Sequence, residues 1–359
     1  MNYALIGCGR VSPNHLKAAK ENGFNIVAVC DIRKENIEDM FARSVLSKEE
    51  IDAVRCYESY TQMLDKEDLE LVSIALPSGL HAEAALAVIG RKINCIIEKP
   101  MAMSLEDADK IIALSEQKGV VVSACHQNRF NEAVQQMRKA YEDGRFGKIS
   151  NAAITVRWHR GPEYYSQADW RGKWESDGGT LMNQCIHGID LLRWFCGDDI
   201  VSVYGITKRH FHPYIEAEDV GTAVVEFKNG AIATIEGSVN VYSKNLEQHL
   251  SLFGETGVVK LGGTSANAID VWSFADNPED NKNGFHEKTM NVYGNGHTSL
   301  FRDVSLAIKN GTKPYVDAKA GRNALELVLA IYKSSQSGEK VLLPLKTGAG
   351  KDFEGLFEK

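Results

Sequence analysis

The chain has 359 residues, of which 43% are hydrophobic and 25% charged, and this size and composition predict a globular protein of two domains. With 41 basic and 48 acidic residues its formal net charge is −7, so nucleic acids and anionic membranes are poor candidates as partners. Seven scattered cysteines without a C-x-x-C pair, no signal-peptide pattern and no long apolar run predict free thiols in a cytoplasmic protein that does not cross a membrane.

Short apolar runs alternate with helical segments in the first third of the chain. The predicted strands are 3–6, 26–30, 71–76, 94–97 and 120–123, and the predicted helices are 12–21, 80–89 and 104–118. Ser12 and Pro13 are predicted as the N-cap and first residue of the first helix. This alternation predicts an open parallel sheet, in which ligands bind beyond the carboxyl ends of the strands.

A glycine-containing loop, residues 7–12, follows the first strand and opens the first helix. Gly7 permits a tight turn and Gly9 lets backbone amides approach a pyrophosphate, while Ser12 stands where the fingerprint has its last glycine. Asp31 ends the second strand, 22 residues after Gly9 (31 − 9). Its carboxylate suits the ribose diol of the adenosine in NAD, and the nearby Arg33 would weaken that preference. The pattern predicts an NAD site, and a glycine turn arising by chance is the alternative.

The segment Glu98-Lys99-Pro100 closes another predicted strand at the same edge of the sheet. A lysine partly removed from water there can hydrogen-bond or deprotonate an alcohol. The alternative is an ordinary solvated lysine.

The second half changes to longer runs rich in β-branched and aromatic residues. The predicted strands are 149–158, 200–208, 221–228, 231–239 and 250–254, with a hairpin turn at Asn229-Gly230 and helices at 179–195 and 321–336. The expected fold class is α/β, with an N-terminal Rossmann parallel sheet and a C-terminal α+β domain that has a large open, mostly antiparallel sheet. The expected boundaries are 1–124, 125–345 and a fraying tail, 346–359.

Two groups of polar residues in this half are candidates for chemistry. Asn183 and His187 are four residues apart and share a helical face, with Asp190 three residues further on, although a satisfied core histidine is the alternative. A cationic cluster suits a substrate with a diphosphate and a carboxylate, and its alternatives are solvated strand residues or cofactor contacts. The cluster comprises Arg157, His159, Arg160 and Arg171. The neighbouring Tyr164 and Tyr165 either stack on a base or pack internally.

Taken together, these motifs resemble the Gfo/Idh/MocA oxidoreductase family over nearly the whole chain. The segments that carry the resemblance are 7–12, 75–81, 98–100, 128–130, 169–171, 178–190 and 321–326. The resemblance implies that Lys99 and His187 act at the reacting carbon, and that the open sheet often mediates homo-oligomers, here a dimer or tetramer. It implies NAD as cofactor and no metal. The implied NAD contacts are Gly7, Gly9, Arg10, Val11, Asp31, Leu76, Pro77, His81, Glu98, Lys99, Gln127, Trp170 and Arg171.

A narrower resemblance, to the UDP-N-acetylglucosaminuronate 3-dehydrogenases of the WlbA/WbpB type, is carried by segments 157–162, 164–165, 169–172 and 177–187. Many family members have Asp where this chain has Asn183, and an amide cannot act as a carboxylate base, so His187 or Lys99 would take the proton. The resemblance implies oxidation of the sugar C3 hydroxyl in bacterial surface polysaccharide biosynthesis, with 2-oxoglutarate reoxidising the cofactor. The implied substrate contacts are Asn183, Arg157, His159, Arg160 and Tyr165.

Three other functions stay open from the sequence. They are an inositol or free-sugar dehydrogenase, a non-catalytic NAD-binding regulator and an NAD-using glycosidase of the same fold. The regulator would not need both Lys99 and His187, and this chain has both.

Overall fold

The computed structural model describes residues 1–289 and 293–358. The chain divides into two compact units: unit 1 comprises residues 1–126 and 297–322, and unit 2 comprises residues 127–296 and 323–359. Segment 297–322 therefore packs in unit 1, although the sequence predicts it within the second domain. Within the described ranges, no helix is long and apolar enough to cross a membrane.

Unit 1 is built on a six-stranded sheet. Its strands are β1 (Asn2–Ile6), β2 (Asn25–Cys30), β3 (Arg55–Tyr57), β4 (Leu71–Ile74), β5 (Asn94–Ile97) and β6 (Val122–Ala124). Its helices, numbered along the whole chain, are α1 (Ser12–Glu21), α2 (Lys34–Arg43), α3 (Lys48–Ala53), α4 (Tyr60–Lys66), α5 (His81–Gly90), α6 (Leu105–Lys118) and most of α11 (Gly296–Asn310). The strand order is β3-β2-β1-β4-β5-β6 and all neighbours are parallel, which confirms the predicted Rossmann sheet.

The order of this sheet reverses between β1 and β4, and this switch point is where such folds bind ligands. The strands there are almost entirely apolar because helices cover both faces of a parallel sheet. One local prediction is wrong: Ser12 is the first residue of α1 rather than its N-cap. Its hydroxyl instead donates to the carbonyl oxygen of Gly9 at 2.6 Å, which tightens the loop.

Unit 2 is built on a nine-stranded sheet in the order β14-β13-β12-β11-β7-β10-β9-β8-β15. Its strands are β7 (Ile149–Arg157), β8 (Ile200–Lys208), β9 (Val220–Phe227), β10 (Ile232–Ser238), β11 (Glu247–Gly254), β12 (Gly257–Gly262), β13 (Ala268–Phe274), β14 (Phe285–His286) and β15 (Val341–Leu342). Its helices are α7 (Glu132–Glu142), α8 (Pro162–Tyr165), α9 (Thr180–Asn183), α10 (Ile186–Cys196) and most of α12 (Ala318–Ser337). Neighbouring strands are antiparallel except β7 and β10, which confirms the mostly antiparallel sheet.

One face of this sheet is covered by α9 and α10. The helices approach the sheet closely because glycines lie on both sides of the contact. A Cβ on Gly237 of β10 would lie 2.5 Å from Cys185 Sγ, and one on Gly188 of α10 would lie 2.2 Å from Ile154 Cδ1. The predicted helix 179–195 is in fact two helices, since Gln184 and Cys185 interrupt it. The face with the helices is the inner face of the sheet, and the opposite one is its outer face.

The C-terminal segment 346–358 is packed rather than frayed, so that prediction is wrong. Phe353 is 3% exposed, and its ring centroid lies 5.7 Å from that of Trp174 and 5.3 Å from that of Tyr332. Phe357 also stacks on Trp174. Two aromatic side chains therefore hold the tail in place, although its glycine- and lysine-rich composition predicts disorder.

Candidate functional site

The glycine loop of unit 1 leaves its backbone open for a ligand. Gly7 has a φ of +93°, and a Cβ there would lie 2.4 Å from the carbonyl oxygen of Ala75, so only glycine fits. At Gly9, by contrast, an added Cβ would meet nothing within 4 Å, and the residue is exposed at the start of α1. An open backbone at a helix N-terminus fits the pyrophosphate of a dinucleotide.

Asp31 lies directly beyond β2 and is tied to this loop. Its Oδ2 accepts the backbone N–H of Cys8 at 2.9 Å, and its Oδ1 accepts the backbone N–H of Arg33 and the side-chain amide of Asn36, each at 2.9 Å. These bonds fix a carboxylate where the adenosine ribose of NAD is expected. Loop and carboxylate together fit the adenosine half of that cofactor.

His81 is buried and joins two loops of unit 1. Its Nδ1 lies 2.8 Å from the carbonyl oxygen of Pro100, and its Nε2 lies 2.8 Å from that of Leu76. Burial lowers the pKa of His81 against the opposing effect of the two carbonyls. Because both ring nitrogens face backbone oxygens, His81 supports the positions of the loops after β4 and β5, and a direct contact with NAD stays a prediction.

The predicted NAD contacts of unit 1 follow or lie near the carboxyl ends of β1, β2, β4 and β5, which are neighbours in the sheet. They are Gly7, Gly9, Arg10, Val11, Asp31, Leu76, Pro77, His81, Glu98 and Lys99. The structure therefore brings this set to one edge, as the strand order requires. The remaining three lie in unit 2. Gln127 is 2% exposed and donates to the carbonyl oxygen of Tyr293 at 3.3 Å. Arg171 belongs to the cluster described next, and Trp170 contacts its guanidinium.

In unit 2, the Tyr164 hydroxyl is a meeting point of polar side chains. Arg171 Nη1 donates to it, and the side-chain amides of Asn183 and Gln184 lie 3.5 and 3.4 Å away. The Arg171 guanidinium also stacks 4.2 Å from the Tyr164 ring centroid and 4.8 Å from that of Trp170. We call Tyr164, Arg171, Asn183, Gln184 and Asp177 the Tyr164 cluster.

Asp177, like Gln184, is a member of the Tyr164 cluster that the sequence analysis did not single out as a site residue. It is 2% exposed, and its Oδ1 accepts the Asn183 side-chain amide at 2.5 Å while its Oδ2 accepts the Gly172 backbone N–H at 2.7 Å. A carboxylate therefore lies beside the amide at position 183. No spacing rule links positions 177 and 183 across the start of α9, so only the fold reveals the pair.

His187 lies in the first turn of α10 and is 8% exposed. Asp190, expected on the same face, instead pairs with Arg129, whose Nε and Nη2 donate to its two carboxylate oxygens at 2.7 and 2.6 Å. This buried pair joins α10 to the turn at 127–130. It explains the predicted Asn128-Arg129-Phe130 motif as an anchor for the helix that bears His187.

Two predicted substrate contacts lie close to the Tyr164 cluster. The guanidinium of Arg160 lies 5.0 Å from the Tyr164 ring centroid, and its Nη1 donates to Asn245 Oδ1 at 3.0 Å. His159 is more firmly engaged, since its Nδ1 lies 2.7 Å from the carbonyl oxygen of Val241. Arg160 thus adds a second cation beside Tyr164. His159 instead joins the segment after β7 to the segment after β10.

Two other predicted substrate contacts have different surroundings, and their contact with a substrate stays a prediction. Arg157 alternates along β7 with the inward-facing Val156, so it lies on the outer face, where it pairs with Glu236 at 2.7 Å and Glu247 at 2.6 Å. Tyr165 is 8% exposed and its ring packs against the rings of Tyr164, His212 and Tyr214. The sequence analysis grouped Arg157 and Tyr165 with the residues next to them in the chain. The alternation of side chains along β7 is the signal that places Arg157 on the outer face.

Each of the two units contains a segment that matches a known protein family. Residues 1–126 match the oxidoreductase family with an NAD-binding Rossmann fold, and residues 134–260 match the GFO/IDH/MocA C-terminal domain. The chain is similar to the WlbA dehydrogenase from Bordetella pertussis, solved with NADH and UDP-GlcNAcA, at 35% identity and a TM-score of 0.85, covering 96% of this chain and 99% of that one. It is similar to the WlbA dehydrogenase from Chromobacterium violaceum, solved with the same ligands, at 32% identity and a TM-score of 0.83, covering 96% of each chain.

A more distant relative is the myo-inositol 2-dehydrogenase of Thermotoga maritima, 24% identical over 96% of this chain and 98% of that protein. The glycine loop, Asp31 and the parallel sheet agree with the first family match, and the open nine-stranded sheet with the second. The chain therefore belongs to the Gfo/Idh/MocA oxidoreductase family and is an NAD-dependent dehydrogenase that acts on CH–OH groups.

Proposed function

We propose that the chain oxidises the C3 hydroxyl of a UDP-linked N-acetylhexosaminuronate, with UDP-GlcNAcA as the leading substrate, in bacterial surface polysaccharide biosynthesis. The observation that carries the proposal is the Tyr164 cluster, in which an arginine and two side-chain amides converge on one hydroxyl and a buried carboxylate accepts one of those amides. It lies in segments 164–165, 169–172 and 177–187, which carry the resemblance to the UDP-sugar dehydrogenases. Two solved relatives at 35% and 32% identity contain UDP-GlcNAcA.

In the proposed reaction, His187 takes the proton of the sugar hydroxyl. Lys99 donates a hydrogen bond to the same oxygen, which stabilises the charge that develops there. NAD, when bound, supplies the hydride acceptor. Asn183 cannot serve as a base, so we assign it to a hydrogen bond with the sugar, with Asp177 orienting its amide.

The charge of the substrate supports the same assignment. A UDP-linked uronate carries a diphosphate and a carboxylate, and arginine is the side chain that binds such groups with paired hydrogen bonds. Arg160 and Arg171 both lie against the Tyr164 ring, at 5.0 and 4.2 Å from its centroid. We assign them to the acidic groups of the substrate, which for Arg171 is the alternative to the NAD contact that the family resemblance implies.

The test is a substrate panel that is preceded by mass spectrometry of the cofactor released from the purified protein. Turnover is followed as NADH formation without 2-oxoglutarate, and as keto product by mass spectrometry when 2-oxoglutarate is present to reoxidise the NADH. UDP-GlcNAcA is compared with UDP-N-acetylglucosamine, which lacks only the carboxylate, and with myo-inositol, each with and without 2-oxoglutarate as reoxidant. We expect turnover of UDP-GlcNAcA to a 3-keto product. Turnover of myo-inositol alone would instead support the second candidate, a polyol dehydrogenase, which the Thermotoga maritima relative favours.

Substitution of the proposed catalytic residues is the companion prediction. His187→Asn and Lys99→Met each remove a hydroxyl contact while preserving approximate size, so turnover should fall by roughly 10²–10⁴-fold, the usual contribution of general acid–base catalysis. NADH binding, measured by fluorescence, should change little. Near-normal turnover in both variants would contradict the assignment.

A further inference from the structure

Four buried side chains of unit 1 converge at the carboxyl end of β5. They are His15 from α1, Glu98 beyond β5, Cys125 beyond β6 and His297 from the start of α11. All are less than 10% exposed, and one ligand-type atom from each lies within 4.8 Å of the others. We call this set the Glu98 cluster.

The carboxylate of Glu98 is the centre of the cluster. Its Oε1 lies 2.8 Å from His15 Nε2 and 3.7 Å from His297 Nε2. Its Oε2 accepts the backbone N–H of Lys99 at 3.2 Å. An ionised carboxylate this deeply buried is costly unless it is paired. The His15 imidazole supplies the hydrogen bond, and the His297 imidazole packs beside the same oxygen.

The electrostatics agree with this geometry. Burial acts to raise the pKa of Glu98, but the hydrogen bond with His15 and the nearby imidazole of His297 outweigh it and hold the pKa well below its usual range. Glu98 is therefore held as a carboxylate, which is the form that accepts the Lys99 N–H most strongly.

The distances distinguish a hydrogen-bonded cluster from a metal centre. Two ligands of a tetrahedral zinc ion with bonds of roughly 2.0–2.1 Å lie roughly 3.3 Å apart. The His15–Glu98 separation of 2.8 Å is shorter than this and is that of a charge-assisted hydrogen bond. The pair is bonded directly, with no space for an ion between the two atoms.

We propose that Glu98, held by His15 and His297, is a positioning residue that fixes the backbone at Lys99. The inference rests on the proposed function, in which Lys99 contacts the reacting oxygen. His15 and His297 are 282 residues apart in sequence (297 − 15) and meet at this carboxylate, so the segment 297–322 has a role in unit 1 that the sequence did not suggest. Loss of the contacts that hold the Glu98 carboxylate should misplace the Lys99 side chain while leaving the glycine loop and Asp31 unchanged.

The test uses the full chain with His297→Leu, which removes one brace, and His297→Gln, which keeps a nitrogen donor where Nε2 lies. Glu98→Gln is the second variant, in case loss of His297 prevents folding. We expect His297→Leu and Glu98→Gln to lower kcat by roughly 10- to 100-fold, the usual effect of misplacing a catalytic group. For His297→Leu, KM and the NADH Kd should change less than about threefold, and His297→Gln should recover most of kcat. Glu98→Gln is assessed by kcat alone, because Glu98 is itself a predicted NAD contact.

A second readout needs no substrate, so it separates this proposal from the proposed function. Hydrogen–deuterium exchange, followed by mass spectrometry, should be faster at the Lys99 amide in His297→Leu and normal in His297→Gln, even if UDP-GlcNAcA is not turned over. Cys125→Ala is the matched control from the same cluster and should retain wild-type exchange and kcat. Unchanged exchange at Lys99, loss of NADH binding in place of kcat, or one equivalent of metal in the purified protein that Cys125→Ala removes would each overturn the proposal.

Discussion

At the scale of single residues, two adjacent tyrosines have different surroundings. The Tyr164 hydroxyl contacts Arg171, Asn183 and Gln184, whereas the Tyr165 ring is buried among other aromatic rings. Burial raises the pKa of the Tyr165 phenol above its usual value, as is typical of a packed side chain. The pair therefore offers a matched experiment on the proposed substrate site.

Tyr164→Phe removes the hydroxyl on which the Tyr164 cluster converges. Since a hydrogen bond to a charged group contributes about 1.5–3 kcal/mol, we expect kcat/KM for the substrate to fall by roughly 10- to 100-fold. Tyr165→Phe should leave kcat/KM within about threefold of wild type, because the ring that packs is retained. The measurement is steady-state kinetics of the two variants. An equal fall in kcat/KM for both would show that the Tyr164 hydroxyl has no special role, and the substrate site would then lie elsewhere in unit 2.

At the scale of elements, the start of α9 is held by a buried carboxylic acid. Glu218 is completely buried, and its Oε1 accepts the backbone N–H of Leu181 and the Tyr332 hydroxyl, each at 2.8 Å. Its other oxygen lies so close to Gly179 that a Cβ there would be 1.8 Å away. This contact explains why the second glycine of Gly178-Gly179 admits no side chain, and it fixes the short helix that bears Asn183.

Burial raises the pKa of Glu218 from 4.5 to about 8. Because the pKa in the folded state lies above that in the unfolded state, the contribution of Glu218 to stability is complete below pH 4.5 and is lost as the pH rises to about 8. The loss is on the order of a few kcal/mol. We expect the thermal midpoint of the wild type to fall across this range relative to that of Glu218→Gln, measured by differential scanning fluorimetry.

The control for this prediction is Glu226→Gln in β9. Glu226 is exposed and its pKa is lowered by hydrogen bonds from Ser202 and Lys340, so its titration has the opposite sign. Glu226→Gln should therefore retain the decline seen in the wild type. Parallel curves for the wild type and Glu218→Gln would show that Glu218 is ionised throughout.

The elements also show what could be predicted from the sequence. The strands at the switch point and the glycine loop were predictable because turn chemistry and apolar runs are local signals. Strands β12 and β13 were missed because polar residues such as Lys260 and Asp270 alternate with apolar ones there and weaken the run. The residues predicted to bind the cofactor in unit 1 could therefore be named from the sequence. The Glu98 cluster depends on contacts between distant segments, and the Asp177–Asn183 contact depends on how the chain turns at the start of α9.

At the scale of the whole molecule, the outer face of the nine-stranded sheet carries a row of exposed apolar side chains. Tyr204, Ile206, Val224 and Ile232 are 44–54% exposed, and Tyr204 lies directly opposite Val224 across β8 and β9. Exposed apolar patches of this kind usually mark contact with another protein surface. A second copy of the chain is the partner we propose, since a sheet face can pair with its own symmetry mate.

We therefore expect the purified protein to be a dimer or tetramer by light scattering coupled to size-exclusion chromatography. Val224→Lys combined with Ile206→Lys places two charges in the row, and each would have to be desolvated on association, so the double variant should shift toward the monomer. Val45→Lys, at a 49% exposed valine of unit 1, should keep the wild-type mass. A wild-type protein that is monomeric at micromolar concentration would contradict the prediction. An unchanged mass for the double variant would place the interface on another surface, since a sheet-to-sheet contact cannot bury two lysines without losing affinity.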